Sequence, residues 1–227
     1  MSLRLSASNR RQQIMWIATG LFADKGFQGT TTREIAGQAG VNESLLFRHF
    51  PTKEKLYWTI IEELSRARGR RQRVKSILAQ GGNDLAVFSA VAREFLVRTP
   101  RDRELTRLLW FTALENHTLS ERFFHNYVAE YYEALAGYIR GRIREGKFRK
   151  MDPLIAARGF MGMVVYHFLI QELFGAEKYQ QFDPTEVAET LAGVWLGGMQ
   201  SSAHKNGHGL NGSSNGNHLR SRKKSKK

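Results

Sequence analysis

The chain has 227 residues, 41% hydrophobic and 25% charged, with 35 Lys and Arg against 21 Asp and Glu for a formal net charge of +14. That length can bury one large or two small cores, and the positive excess directs the chain to a polyanion, nucleic acid or an acidic membrane surface, without conferring specificity. It contains no cysteine, which excludes disulfides, thiolate nucleophiles and cysteine-ligated zinc fingers.

Helical period runs through the chain. Ile14, Ile17, Ala18, Leu21 and Phe22 share one face of a first helix that Gly26 closes. Thr31 and Glu34 have the spacing of a capping box and open a short second helix ended by Gly40. A third helix starts after Asn42 and stops before Pro51, and a fourth runs from near Thr52 into the Arg-rich stretch 66–75. The run Gln80-Gly81-Gly82-Asn83-Asp84 marks a domain break. Further helices are predicted over 85–99, 101–115, 119–145, 153–172 and from Pro184 to about Gly197, with Pro153 and Pro184 at first-turn positions. No alternating strand pattern is present, so the fold class is all-α. The expected organisation is a helix-turn-helix domain over 1–51, a connecting helix over 52–79, a ligand-binding and dimerisation domain over 80–204, and a disordered basic tail over 205–227. That tail holds seven Lys and Arg and no acid, and two readings stay open for it: a non-specific DNA arm or a solubilising segment. The first residues lack an apolar core of signal-peptide length. The longest apolar stretch, 160–173, carries His167, Gln171 and Glu172 and reads as a buried helix, so a cytoplasmic protein without a membrane span is expected.

The spacing of Ala36, Gly40 and Leu46 is that of a helix-turn-helix: a small residue where two helices cross, a glycine in the turn, and an apolar residue in the angle between them. In such a unit the second helix enters the major groove. Here it presents Asn42, Glu43, Ser44, Leu45, Phe47, Arg48 and His49. Arg48 can donate to guanine or phosphate, Ser44 and Asn42 to phosphate or a base edge, and Leu45 can pack on a thymine methyl. Thr30, Thr31, Thr32 and Arg33 are expected to form a phosphate clamp at the start of the preceding helix. Lys53 begins the next helix, where the dipole disfavours a cation and a bound phosphate would explain one.

In combination, Gly26-Phe27, Thr30-Thr31-Thr32, Ile35-Ala36, Ala39-Gly40-Val41, Leu46-Phe47-Arg48-His49-Phe50 and Lys53-Glu54-Lys55-Leu56 resemble the DNA-binding domain of the TetR (tetracycline repressor) family. The resemblance covers residues 10–57. It implies a homodimer on a palindromic DNA operator, repression relieved by a small molecule, Thr32 and Lys53 on the DNA backbone, and a groove-reading helix over 42–49. Phe47 stands where the family often has a tyrosine that reaches a phosphate, and Leu45 where Thr or Ser is frequent.

The C-terminal half is rich in aromatic residues, which at any one position read first as helical core and as a set could enclose a pocket for a small apolar effector. The residues predicted to line it are Trp110, Asn116, His117, Tyr138, Tyr166 and His167. Two apolar helices carrying Gly162 and Val165, and Leu191 and Trp195, are predicted to form the dimer interface, with glycines allowing close approach. An enzyme acting on a hydrophobic small molecule is the alternative from another class. It lacks a His-Glu-x-x-His motif and a phosphate-binding glycine loop, and Glu115 and His117 diverge at i, i+2. A metal-sensing repressor using His204, His208 and His218, and a membrane-surface protein, are weaker variants. No cofactor and no metal are expected.

Overall fold

The computed structural model describes residues 6–67, 69–115 and 117–200. The basic tail, its histidines and Asn116 lie outside the described residues. Among the described residues every regular element is helical: α1 (Ala7–Lys25), α2 (Thr32–Gln38), α3 (Glu43–His49), α4 (Lys53–Ala67), α5 (Arg70–Gln80), α6 (Asp84–Leu96), α7 (Pro100–Glu115), α8 (His117–Phe123), α9 (Ala129–Arg144), α10 (Pro153–Glu172) and α11 (Pro184–Met199).

The N-terminal starts follow local chemistry. The Ser6 hydroxyl accepts from the Asn9 amide at 3.2 Å, Thr31 from Glu34 at 3.1 Å, and Asn42 from Leu45 at 2.8 Å, so α1, α2 and α3 each begin on a side-chain cap. Only half of the expected capping box forms: the Glu34 carboxylate turns to Lys25 instead. Gly40 has φ +61° and no atom near the place a Cβ would occupy, so it is needed for its backbone conformation rather than for space.

Two differences from the sequence expectation have physical causes. The connecting helix is two helices, because Gly69 adopts the left-handed conformation (φ +55°) between α4 and α5. The helix expected over 119–145 is divided into α8 and α9 by a π-helical turn at Phe124–Val128.

Two hydrophobic cores result. The first gathers Ile14, Ala18, Phe22, Ile35, Leu46, Phe50 and Tyr57 from α1–α4 and takes in Leu105, Leu108 and Leu119 from α7 and α8. The second centres on Phe88 of α6, whose ring lies 4.4 Å from Trp195 and 4.9 Å from Phe160. Tyr138 donates to Asp84 at 2.8 Å and Arg142 pairs with the same carboxylate at 2.6 Å, which pins the start of α6 to α9. The helix-turn-helix core therefore extends across the break at 80–84 into the C-terminal half.

α7 docks on the head through polar contacts as well. The Tyr57 hydroxyl donates to the Leu108 carbonyl at 2.9 Å and meets Thr112 Oγ, Arg107 Nε donates to the Ala23 carbonyl at 2.7 Å, and the Gln28 amide donates to Glu115 Oε2 at 3.0 Å. Glu115 also occupies the space beside Gly26, whose φ of +75° and missing Cβ both serve this contact. On α8, Arg122 lies over the Trp58 ring at 4.3 Å.

Burial of the Tyr57 phenol, with Glu115 nearby, pushes its pKa up to about 12 from 10.0. A raised folded-state pKa means the stability it contributes is present below pH 10 and lost as pH rises toward 12. Tyr57→Phe is predicted to lower stability by about 1–2 kcal/mol near neutral pH through loss of the buried hydrogen bonds. The deficit should narrow in denaturant melts run above pH 10, because only the wild type then carries the ionisation penalty. An unchanged deficit would contradict this role.

Candidate nucleic-acid interface

α3 is anchored by Leu46, which is fully buried, so its opposite side is outward. Ser44, Phe47 and Arg48 stand at i, i+3 and i+4 on that side and are exposed. Arg33 is exposed in the first turn of α2. Within the described residues, Arg33, Ser44 and Arg48 form no hydrogen bond or ion pair, so their donors are available to a ligand. Thr31 and Asn42 are exposed but already cap α2 and α3. The Thr31 O–H and the Asn42 amide NH2 remain as donors toward a phosphate.

The other predicted contacts serve the fold in this structure. Thr32 donates to Glu43 Oε1 at 2.7 Å, tying the start of α2 to the start of α3. Lys53 donates to the carbonyls of Phe27 and Thr30, both at 3.0 Å, with its ammonium 4.3 Å above the Phe27 ring. Two of its three N–H bonds thus hold the turn that launches α2, which also accounts for a cation at the start of α4. Leu45 and His49 are half-buried at the edges of the α3 face.

A cavity of about 860 Å³ lies where the two cores meet. Leu105, Leu109, Phe123 and Tyr127 line it from the head side, and Phe95, Tyr132, Met161, Val165 and Phe168 from the body side. Of the predicted ligand residues, Trp110 lines it. Tyr138 is held by Asp84 away from it, Tyr166 is on the outside of α10 at 64% exposure, and His167 borders a second, more polar cleft with Gln171 and Phe182. Burial lowers the His167 imidazole pKa from its ordinary value. The side chain of His117, like Asn116, is outside the described residues. Sequence reasoning missed Arg66, Arg70, Arg71 and Arg98 on the cavity wall; the Arg-rich stretch was the available signal, but it read as a connecting helix.

At the predicted dimer face, Gly162 is exposed with open space beside it. Val165 and Leu191 are half-buried against the body core, and Trp195 packs within its own chain on Phe88, Phe148 and Phe160. The exposed apolar residues on these helices are instead Ile155 (71%), Tyr166 and Val194 (65%).

Comparison with known proteins assigns both halves. Residues 14–58 match the bacterial regulatory proteins of the tetR family, and residues 86–194 match the AefR-like transcriptional repressor C-terminal domain. The nucleoid occlusion factor SlmA of Vibrio atlanticus is 35% identical over 162 residues, covering 69% of this chain and 81% of that protein. SlmA of Glaesserella parasuis is 26% identical over 187 residues, covering 78% and 89%. Among solved structures, NalD of Pseudomonas aeruginosa, the secondary repressor of the MexAB-OprM multidrug efflux pump, superposes with a TM-score of 0.67 at 20% identity over 86% of this chain and 98% of that one. AibR, solved with isovaleryl coenzyme A and operator DNA, gives 0.62 at 22% identity over 82% and 97%. Matched in both halves and sharing this identity with a relative over most of its length, the chain belongs to the tetR family of bacterial regulatory proteins, which bind DNA and regulate transcription.

Proposed function

We propose that this regulator is a repressor that binds a palindromic operator as a homodimer and is released by a small, largely apolar ligand held in the cavity between its two cores. The observation that carries the reading is the outward Ser44–Phe47–Arg48 face on a helix whose opposite side is locked into the head. Such a face fits the major groove, with Arg48 directed at base edges, Phe47 giving apolar contact with a thymine methyl or sugar, and Arg33 and the α2 start on phosphates. The AibR structure, which pairs a coenzyme A thioester with operator DNA in one complex, supports a ligand-responsive head. The site of action is the DNA-containing cytoplasm.

The outward faces of α10 and α11 support the dimer reading. α10 is long and apolar enough to cross a membrane by length and composition, yet Phe160, Met161 and Val164 are buried in the body. Its remaining apolar stripe, Ile155, Gly162 and Tyr166, lies outward, as does Val194 beside Gly193 and Gly197 on α11. Apolar side chains flanked by glycines let a second pair of helices approach closely and give an isologous four-helix interface.

A second reading comes from the curated relatives, whose name assigns them to nucleoid occlusion. Genome-wide mapping separates the two: sites confined to promoters whose transcripts rise on deletion support repression, whereas dispersed sites without transcript changes support the nucleoid reading.

Arg48→Ala is predicted to reduce discrimination between operator and scrambled duplex by about 1–3 kcal/mol per half-site. Arg33→Ala should weaken both duplexes by similar factors, since a phosphate contact carries no base information. Anisotropy titrations at fixed salt check both, and wild-type operator affinity in the folded Arg48→Ala protein would refute the groove assignment. Gly162→Arg fits the isolated subunit, where nothing lies within 4 Å of the added Cβ, but places a charge in the proposed interface. Sedimentation should show a wild-type dimer at micromolar concentration and a monomeric variant; a monomeric wild type would refute the interface.

A further inference from the structure

The cavity's charge is not that of a site for a neutral apolar molecule. Its inner wall is apolar, with Leu105 and Met161 buried and Val165 and Phe168 half-buried. Its exposed rim, at the α4–α5 break, carries Arg66, Arg70 and Arg71. Four guanidiniums line the cavity, and each can be traced. Arg98 lies deep, over the Phe168 ring at 4.4 Å, and faces Glu172 at 3.8 Å. Arg71 pairs with Glu130 at 2.9 Å. Arg70 spends its Nε on the Glu94 backbone carbonyl at 2.6 Å and stacks over Phe95, so its charge meets a dipole rather than a carboxylate. Arg66 forms no hydrogen bond or ion pair among the described residues. The acids on the lining are Glu62 and Asp102. Asp102 accepts from the Thr99 amide and hydroxyl and is consumed in starting α7.

The rim therefore holds positive charge that its carboxylates do not fully match, above an apolar interior. Tyr127, at the π-helical turn on the same rim, has its phenol pKa raised chiefly by burial and next by the Glu62 carboxylate, against the opposing field of Arg71, Arg122 and Arg66. Glu62 offsets one of the unpaired charges of Arg66 and Arg70 but not both.

We infer that the ligand of this cavity is an anionic amphiphile, an apolar chain or ring system ending in a carboxylate, with the tail between the two cores and the head group on Arg66 and Arg70 at the α4–α5 break. This rests on the cavity being the effector site proposed above. Guanidiniums recognise carboxylates by paired, charge-assisted hydrogen bonds, which favour an acid over the corresponding alcohol on the same tail. Burial of the tail supplies most of the affinity, and the rim supplies the selectivity.

Isothermal titration calorimetry with three probes sharing one tail tests this: dodecanoate, dodecanol and dodecyltrimethylammonium, each below its aggregation concentration. The wild type should bind dodecanoate at least about fivefold more tightly than dodecanol, and dodecyltrimethylammonium more weakly than either. Arg66→Gln should narrow the acid preference, and Arg66→Gln combined with Arg70→Gln should abolish it while dodecanol affinity stays within about twofold, with circular dichroism showing the helices intact. Equal binding of acid and alcohol, tightest binding of the cation, or an acid preference that survives in the double variant would overturn the anionic assignment and leave the cavity as an effector site. Binding of none of the three probes would instead count against the effector site itself, and this inference would fall with it.

Discussion

The arrangement depends on how one helix, α7, is held. Its far side belongs to the core of the DNA-binding head through Leu108 and Thr112, while Leu105, Leu109, Trp110 and Ala113 line the cavity. Residues three or four apart on a helix share a face, and positions 108 and 112 meet Tyr57 while 109 and 113 meet the cavity. A shift of α7 on its cavity side would reach α4 through these contacts, and through Arg107 and Glu115 the end of α1 and the turn before α2. Packed cores respond to displacement by moving as bodies rather than by compressing.

Within the head the same economy recurs. The turn from Gly26 to Thr30 is held from three directions: by the Thr30 hydroxyl on the Gly26 carbonyl at 2.9 Å, by the Lys53 ammonium, and by Glu115 from α7. This turn sets where α2 starts, and Thr32–Glu43 then sets where α3 starts relative to α2. A chain of hydrogen bonds thus leads from α7 to the helix that carries Arg48. An amphiphile in the cavity would act at the origin of that chain, and a palindromic operator would be sensitive to it because two heads must keep one spacing.

The helix-turn-helix was legible in the sequence because every signal in it is local: helix starts at Thr31 and Asn42, a turn glycine at Gly40, and the 3.6-residue spacing that separates Leu46 from Phe47 and Arg48. The roles of Lys53 and Thr32 were not, since their partners Phe27, Thr30 and Glu43 come from other elements. In α10 the period itself fails, because residues 160–166 carry no charged side chain on any face and periodicity cannot separate the buried Phe160 and Val164 from the outward Tyr166. On α11, likewise, nothing in the sequence signals that Trp195 packs on Phe88, Phe148 and Phe160 of its own chain. The cavity had no local signature. It forms where seven helices, α4 to α10, and the π-helical turn converge, and its rim arginines Arg66, Arg70 and Arg71 read in sequence as one continuous basic helix because a single Gly69 does not announce a break.

The central claim, that α7 fixes the head in its DNA-binding orientation, can be tested without any ligand. The double variant Arg107→Ala, Glu115→Ala removes two of the contacts between α7 and the head and touches no residue proposed to meet DNA. Operator affinity by anisotropy, beside circular dichroism to confirm the fold, reads the effect directly. The account predicts a fall of about an order of magnitude on the operator, the scale of a coupling between two sites, with a smaller loss on scrambled DNA. Unchanged operator affinity in the folded double variant would contradict it.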